Sequence, residues 1–266
     1  MRSLYSTLKL MAVGTLFSAS AVMAAQTCSP EQLESLEESK HLFGPLSWPV
    51  CKALPNRPEL TLASYFVWTD GAKQGERTYQ WNTVILDSKR HKVQAVHREF
   101  IHEGKQAKIR PDSIWLDTAN YALNDQVRAF GVRLHTGADL GCERESRGQF
   151  LNLFVYQNHI LTRLVENLPT EYSRVHEGSM CDNSVEWEKE IAKSHLQILP
   201  TTHYGFADIK LKSKGVFESK SDHRKESRKG VEKSRSHTYI FKYNGEKYSI
   251  DRSELPSYRW SDPENL

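Results

Sequence analysis

The sequence predicts a mainly β protein: an antiparallel meander that forms a sandwich, an open barrel or a propeller-like unit, with one short N-terminal helix. From Leu60 onward, apolar and polar residues alternate with a period of two. Roughly ten β-rich runs follow one another, and most are separated by connections of hairpin length. Aromatic residues make up 10% of the 266-residue chain, enough for a large core. No motif recurs at a fixed period, which disfavours propeller blades.

The helix is predicted to begin after Ser29 and to end near Leu42. Ser29 can cap the helix, Pro30 suits the first helical position, and Gln32 can close a capping box back to Ser29. Beyond Leu42, the Gly44-Pro45 pair favours termination.

Two predicted hairpins have the clearest turns among the β-rich runs. One turns across Gln157-Asn158, and the other across Asn244-Gly245, a pair typical of a type I′ turn. The predicted runs are 60–68, 79–86, 91–101, 127–136, 150–156, 159–165, 185–199, 205–212, 239–243 and 247–250.

Residues 1–24 are typical of a secretory signal peptide. Arg2 and Lys9 give a positive start, the apolar stretch to Ala24 is too short to span a bilayer, and small residues surround the expected cleavage point. We therefore expect an exported protein, periplasmic if the host is a Gram-negative bacterium. An uncleaved membrane anchor and a lipoprotein attached through Cys28 are the alternatives. No later run approaches the roughly 20 apolar residues of a membrane helix, so no transmembrane segment is expected after signal cleavage.

The cysteines predict disulfide bonds, because an even number in an exported chain favours pairing. Sequential pairing, Cys28 with Cys51 and Cys142 with Cys181, closes the shortest loops. A zinc site is the competing interpretation, but the spacings fit no zinc motif. The predicted organisation is a helix and disulfide-tied arm over residues 25–59, then a single β-rich domain over residues 60–266.

A basic segment, residues 219–236, interrupts this domain. It contains almost no apolar residues, and its seven basic side chains outnumber three acidic ones. Such a segment is typical of a long solvated loop, and it is equally suited to attract an acidic protein, anionic lipid or cell-wall polymer. The possible binding residues are Lys220, Arg224, Lys225, Arg228, Lys229, Lys233 and Arg235. Nucleic acid is not an expected partner, because the segment lacks interleaved aromatic residues.

The tryptophans suggest either core packing or stacking on sugars. Trp187 lies among glutamates and is predicted to be exposed, as an anchor for an interface. The other tryptophans considered are Trp68, Trp81, Trp115 and Trp260.

One stretch carries a family resemblance. The sequence IWLDTANYAL, from Ile114 to Leu123, followed by VRAFGVR, from Val127 to Arg133, resembles the LDTAxYxL…VRAFGVR pattern of an uncharacterised family of exported bacterial β-rich proteins. Further parts of the pattern are present at 151–154, 205–208 and 243–248. The resemblance implies export and a single β-rich unit, and it transfers no activity, cofactor or catalytic residue.

Motifs of known chemistry are absent from the sequence. It contains no G-x-S-x-G elbow, phosphate loop, dinucleotide fingerprint or H-E-x-x-H. His97 and Glu99 share a strand face and would need a third ligand to hold a metal, while Asp117 and Asp125 could be paired catalytic carboxylates but are more typical of turn residues that flank strands. We therefore predict no catalytic residue, no metal and no cofactor.

The leading hypothesis is an exported, non-catalytic binding protein whose partner is another protein. It would act, for example, as an inhibitor or immunity-type partner of an envelope-acting protein. One alternative is an envelope hydrolase whose site cannot be recognised in sequence order. The other is a structural or stress-related envelope component that binds polyanions through the basic segment.

Overall fold

A computed structural model describes residues 26–69, 77–103, 108–136, 145–181, 186–220 and 234–249. In these residues one short helix precedes twelve strands. The elements are α1 (Pro30–Ser39), β1 (Leu46–Leu54), β2 (Arg57–Thr69), β3 (Thr78–Asp87), β4 (Val93–His102), β5 (Ile114–Ala122), β6 (Arg128–His135), β7 (Glu145–Gln157), β8 (Ile160–Gly178), β9 (Trp187–His203), β10 (Phe206–Lys220), β11 (Ser234–Tyr243) and β12 (Tyr248–Ser249).

The strands form two antiparallel sheets in which every neighbour in space is also a neighbour in sequence. The first sheet has the order β1-β2-β3-β4, and the second runs from β12 through β11, β10, β9, β8, β7 and β6 to β5. The predicted mainly β antiparallel meander with one short helix is thus confirmed. Of the three forms considered, the described strands match a sandwich, since each sheet ends in edge strands and does not close on itself.

The core of the sandwich lies between the first sheet and the strands β5 to β7. Phe66 and Trp81 of the first sheet pack in one cluster with Leu116, Phe130 and Phe154 of the second. Because side chains alternate along a strand, β5 to β7 bury one face against the first sheet, and their other face is left for a second cluster.

The other face of these strands packs against β10 and β11 of the same sheet. Leu151 and Leu153 of β7 join Ile209, Leu211 and Phe241 of β10 and β11 in a second cluster, while Phe154 points into the first. β8, β9 and β10 are 19, 17 and 15 residues long, so the second sheet can curve until its two halves meet.

The N-terminal residues fasten the open side of the sandwich. The predicted capping box is present, with Ser29 Oγ accepting from Gln32 N at 3.3 Å and Gln32 Oε1 accepting from Ser29 N at 2.9 Å. The helix ends at Ser39, slightly before the predicted Leu42. Just before it, the Gln26 amide bonds both backbone groups of Leu116 on the edge strand β5.

The predicted disulfide between Cys28 and Cys51 is present, and it ties the start of α1 to β1. The second predicted bridge, from Cys142 to Cys181, involves Cys142, which lies outside the described residues.

The sequence patterns did not predict the strands β1 and β5. β1 is interrupted at Trp48-Pro49, where Trp48 has a φ of 50° and the register with β2 shifts, so it lacks simple alternation. It nevertheless forms an edge of the first sheet, and the boundary predicted at residue 60 falls within β2. In β5, the polar residues between Asp117 and Asn120 interrupt the alternation of apolar and polar residues that is typical of a strand.

Both predicted hairpins exist, but their turns differ from the prediction. The first turns at Asn158-His159, one residue later than expected, and both residues have positive φ, as a type I′ turn requires. In the second, Tyr243 pairs with Tyr248 across four residues. The type I′ prediction at Asn244 is wrong there, because its Oδ1 accepts two backbone N–H groups and shapes a wider turn.

Candidate functional site

The structure describes only the two ends of the basic segment. Lys220 ends β10, where its backbone pairs with that of Trp187, and Arg235 lies in β11 with its guanidinium 5.2 Å from the centroid of the Phe217 ring. The five remaining predicted binding residues lie outside the described residues: Arg224, Lys225, Arg228, Lys229 and Lys233.

Trp187 is half-buried, so the expectation that it is the exposed tryptophan is wrong. It is the first residue of β9, and its backbone pairs with Gly178 on one side and with Lys220 on the other. Among the tryptophans that the structure describes, Trp68 is 43% exposed and Trp115 is 39% exposed.

The most extended charged feature of the described residues is the outward side of β9, β10 and β11. Ile209 and Leu211 of β10 are buried in the second core, so the alternate residues of that strand face away from it. We call this outward side the lysine face. Its lysines are Lys189, Lys193, Lys210, Lys212, Lys214 and Lys242.

The strand register brings like charges together on the lysine face. Lys214 pairs directly with Lys193. Like charges directly opposite each other destabilise a sheet, so this arrangement does not serve folding. Glu171 of β8 offsets part of the repulsion, because its carboxylate lies 3.6 Å from Lys193 Nζ.

Two further carboxylates complete the charge of this face. Glu218 of β10 pairs with Lys189 of β9. Asp208 is buried and accepts from Thr201 Oγ1 at 2.7 Å, and His203 Nδ1 lies 2.7 Å from its other oxygen. The described residues of this side thus include six lysines and three carboxylates, one of them buried, so the lysine face is a net cationic surface.

His97 and Glu99 do lie together, but an arginine occupies the place that a metal would need. Glu99 forms an ion pair with Arg163 of β8, and His97 Nε2 is 4.0 Å from the same carboxylate. Burial alone would raise the pKa of Glu99, but the neighbouring His97 and the charge and hydrogen bond of Arg163 hold it below its ordinary value. Within the described part of the chain, no three potential metal ligands gather.

Asp117 belongs to a buried network rather than to a catalytic pair. Its Oδ2 accepts from Tyr121 Oη and from Arg133 Nε, each at 2.8 Å, whereas Asp125 is exposed in the loop after β5. Burial and the adjoining carboxylate raise the pKa of Tyr121, so its hydroxyl stays protonated and donates. An aspartate already engaged by an arginine and a tyrosine is not poised to exchange protons with a substrate.

The same network accounts for the motif that carries the family resemblance. Asp117 and Tyr121 come from its first half, and Gly131 and Arg133 from its second. A Cβ on Gly131 would lie 2.8 Å from Leu151 Cδ1 and 3.0 Å from Asp117 Cβ, so only glycine fits beside the network. These motif residues therefore shape the packing of β5, β6 and β7.

One end of the first sheet exposes large aromatic side chains. The exposed fractions are 107% for Phe43, 55% for Phe100 and 43% for Trp68. Gly44 is pressed against the Trp68 carbonyl, which places Phe43 beside the end of β2. Phe100 lies at the same end of the sheet, but its row of paired residues contains Gln80 and Val67, so it projects from the face opposite to that of Trp68. We call Phe43, Trp68 and Phe100 the aromatic end.

A cluster of packed aromatic rings lies beside the aromatic end. Trp48 lies 6.4 Å from Phe66 and 6.0 Å from Tyr79, and Phe66 lies 5.8 Å from Tyr79, measured between ring centroids. The positive φ of Trp48 turns its ring into this cluster. Of the three exposed aromatic residues, Trp68 lies on the same face of the sheet as this packed cluster, because it pairs directly with Tyr79.

Sequence reasoning missed both surfaces, although one of them left a signal. The alternation Lys210-Leu211-Lys212-Ser213-Lys214 has the period of a strand and predicts lysines on one side. The aromatic end left no comparable signal, because Phe43, Trp68 and Phe100 come from separate elements.

Among the described residues, no helix has the length and apolar character needed to cross a membrane. Comparison of the chain with protein-family models, with characterised proteins and with solved structures finds no match.

Proposed function

We propose that the chain is an exported, non-catalytic binding protein that acts on another protein of the cell envelope, as an inhibitor or immunity-type partner does. The observation that carries this proposal is the aromatic end, where three large side chains of the first sheet and its N-terminal connection are exposed. Export rests on the predicted signal peptide, and a disulfide between Cys28 and Cys51 suits an oxidising compartment.

The aromatic end has the chemistry of an interface rather than of an ordinary surface. Aromatic residues dominate the binding energy of protein interfaces, where a partner removes their surface from water. Phe43 and Phe100 have no polar side-chain atom, so burial is the only way they lower their free energy. The surface therefore fits a partner protein with an apolar patch.

The polar groups nearest the aromatic end define the rim. Lys40 donates to the carbonyl of Gly44 at 3.0 Å and forms an ion pair with Glu37. Covering this ion pair would cost desolvation free energy, so it should remain at the edge of the contact. The matching patch on the partner protein should accordingly be apolar at its centre and uncharged or weakly polar at its edge.

Affinity capture from an envelope extract tests the proposal. The mature protein is compared with the variant Phe43→Ser/Phe100→Ser and with a control, Ile160→Ser, which removes an exposed apolar side chain from the first residue of β8. Removing two anchor residues should lower the recovery of one particular protein by at least about tenfold, and the control should leave that recovery unchanged.

Binding of that protein, once purified, is then measured by calorimetry against the same three forms. The proposal fails if no captured protein distinguishes the double variant from the control. Circular dichroism of the double variant should match that of the parent, because both replaced side chains are exposed.

A further inference from the structure

We propose that the lysine face docks on a membrane surface that contains anionic phospholipids. This assigns a second surface, on the other sheet from the aromatic end, and is independent of the protein partner proposed above.

The lysine face is complementary in charge to a membrane surface that contains anionic lipids. Lys193 is 73% exposed, and Lys212, Lys214 and Lys242 are exposed as well, so their ammonium groups can reach anions that approach the sheet. The direct pairing of Lys193 with Lys214 costs folding free energy. An anionic partner bound against the lysine face relieves that repulsion, which gives the arrangement a use in binding.

The arrangement of the lysines on the lysine face favours a planar partner over a linear polymer. Alternate residues of a strand are about 7 Å apart and adjacent strands are about 4.8 Å apart, so the charges of three strands fill an area instead of a line. Lys193, Lys212 and Lys242 belong to three different strands of this area. A lipid surface presents phosphate groups in two dimensions and can engage all three strands at once.

An apolar side chain lies within the array. Ile240 of β11 is 45% exposed and pairs directly with Lys210. In water an exposed isoleucine surrounded by lysines gains nothing, but at a bilayer surface it can enter the boundary between headgroups and acyl chains while the lysines remain among the phosphates. This combination distinguishes a lipid surface from a soluble polyanion.

The test measures binding of the mature protein to vesicles of phosphatidylcholine alone and of phosphatidylcholine with about 30 mol % phosphatidylglycerol, by co-sedimentation. The variant Lys212→Gln/Lys214→Gln is compared with the matched control Lys89→Gln/Lys92→Gln, which removes two exposed lysines from the turn between β3 and β4. Each lysine near an anionic surface contributes on the order of fivefold in binding, so the face variant should bind anionic vesicles roughly 25-fold more weakly.

Four results would support the inference together: loss in the face variant, binding within about twofold of the parent in the control, weaker binding at high salt, and weaker vesicle binding of Ile240→Ser. Equal binding to both kinds of vesicle, or equal loss in the two lysine variants, would overturn it. Thermal unfolding of each variant should match the parent, since the replaced side chains are exposed.

Two further experiments distinguish a membrane surface from a soluble polyanion, and the lysine face from the basic segment. Binding to soluble polyphosphate without binding to anionic vesicles would overturn the membrane assignment, as would loss of vesicle binding in Lys225→Gln/Arg228→Gln/Lys229→Gln but not in Lys212→Gln/Lys214→Gln. The variant Phe43→Ser/Phe100→Ser should bind vesicles normally, so failure of the protein-binding proposal and failure of this one are distinguishable.

Discussion

Replacing Asp117 with alanine should lower the free energy of unfolding by about 3–5 kcal/mol, the cost typical of breaking a buried ion pair. The Asp117 carboxylate is only 6% exposed and the Arg133 side chain 13% exposed. The carboxylate accepts hydrogen bonds from Ala119 N, Tyr121 Oη and Arg133 Nε at 2.8 to 3.0 Å. The variant therefore leaves a buried guanidinium without its counter-charge and two further donors without an acceptor.

The magnitude depends on how much the rest of the network compensates. Arg133 Nη1 also donates to Gln149 Oε1 at 2.9 Å and to Thr170 Oγ1 at 3.3 Å, and its guanidinium lies 5.3 Å from the Trp115 ring centroid. These contacts hold the arginine in place when Asp117 is removed, so it cannot move out to water. The loss should accordingly exceed the roughly 1–2 kcal/mol expected for Tyr121→Phe, which removes a single hydrogen bond to a charged group.

Urea unfolding at about pH 7, followed by circular dichroism, measures these differences. The double variant Asp117→Ala/Arg133→Ala should be destabilised by clearly less than the sum of the two single variants, since neither charge is then left unpaired. A loss below about 1 kcal/mol for Asp117→Ala, or strict additivity in the cycle, would refute the reasoning. An unchanged m-value would show that stability and not the denatured state was altered.

Three further variants test other contacts. Cys28→Ser/Cys51→Ser should lose about 3 kcal/mol of stability in urea without reductant, because the bridge no longer restricts the unfolded chain; equal stability of both proteins would contradict this. Gly131→Ala should lower the free energy of unfolding, measured by thermal unfolding, by about 1–3 kcal/mol, because the new methyl group overlaps Leu151. An unchanged stability would mean that β6 and β7 move apart without cost. The pKa of Glu99 is lowered in the fold, so its contribution is present at about pH 6 and is lost as the pH falls below about 4.3. The stability gap between the parent and Glu99→Gln should shrink over that acid range, and a constant gap would refute the role of the ion pair with Arg163.

The local elements of the fold were predictable because they depend on neighbours in sequence. The period-two alternation along β2 and β3 predicts strands that pack a core, and Ser29 with Gln32 forms the predicted capping box. β1 was not predictable, because the bulge at Trp48 and the proline after it break the alternation and only pairing with β2 makes this stretch a strand.

The candidate sites were less predictable than the elements that carry them. The period of the lysines between Lys210 and Lys214 was present in the sequence, yet the opposing Lys193 is brought to them only by the register of β9. Trp187 illustrates the converse, since its charged sequence neighbours predict exposure while the folded structure half-buries it.

Local sequence was enough to establish the mainly β class, the antiparallel meander and the helix start, and it predicted the bridge between Cys28 and Cys51 that the structure contains. Each of these follows from the periodicity, turn residues or spacing of a continuous stretch of chain. Long-range packing set the curvature that closes the second core, the pairing of Glu99 with Arg163 and the gathering of lysines from three strands. These depend on strand register and on contacts between distant segments, and a shift of one residue would turn every lysine of a strand to its other side.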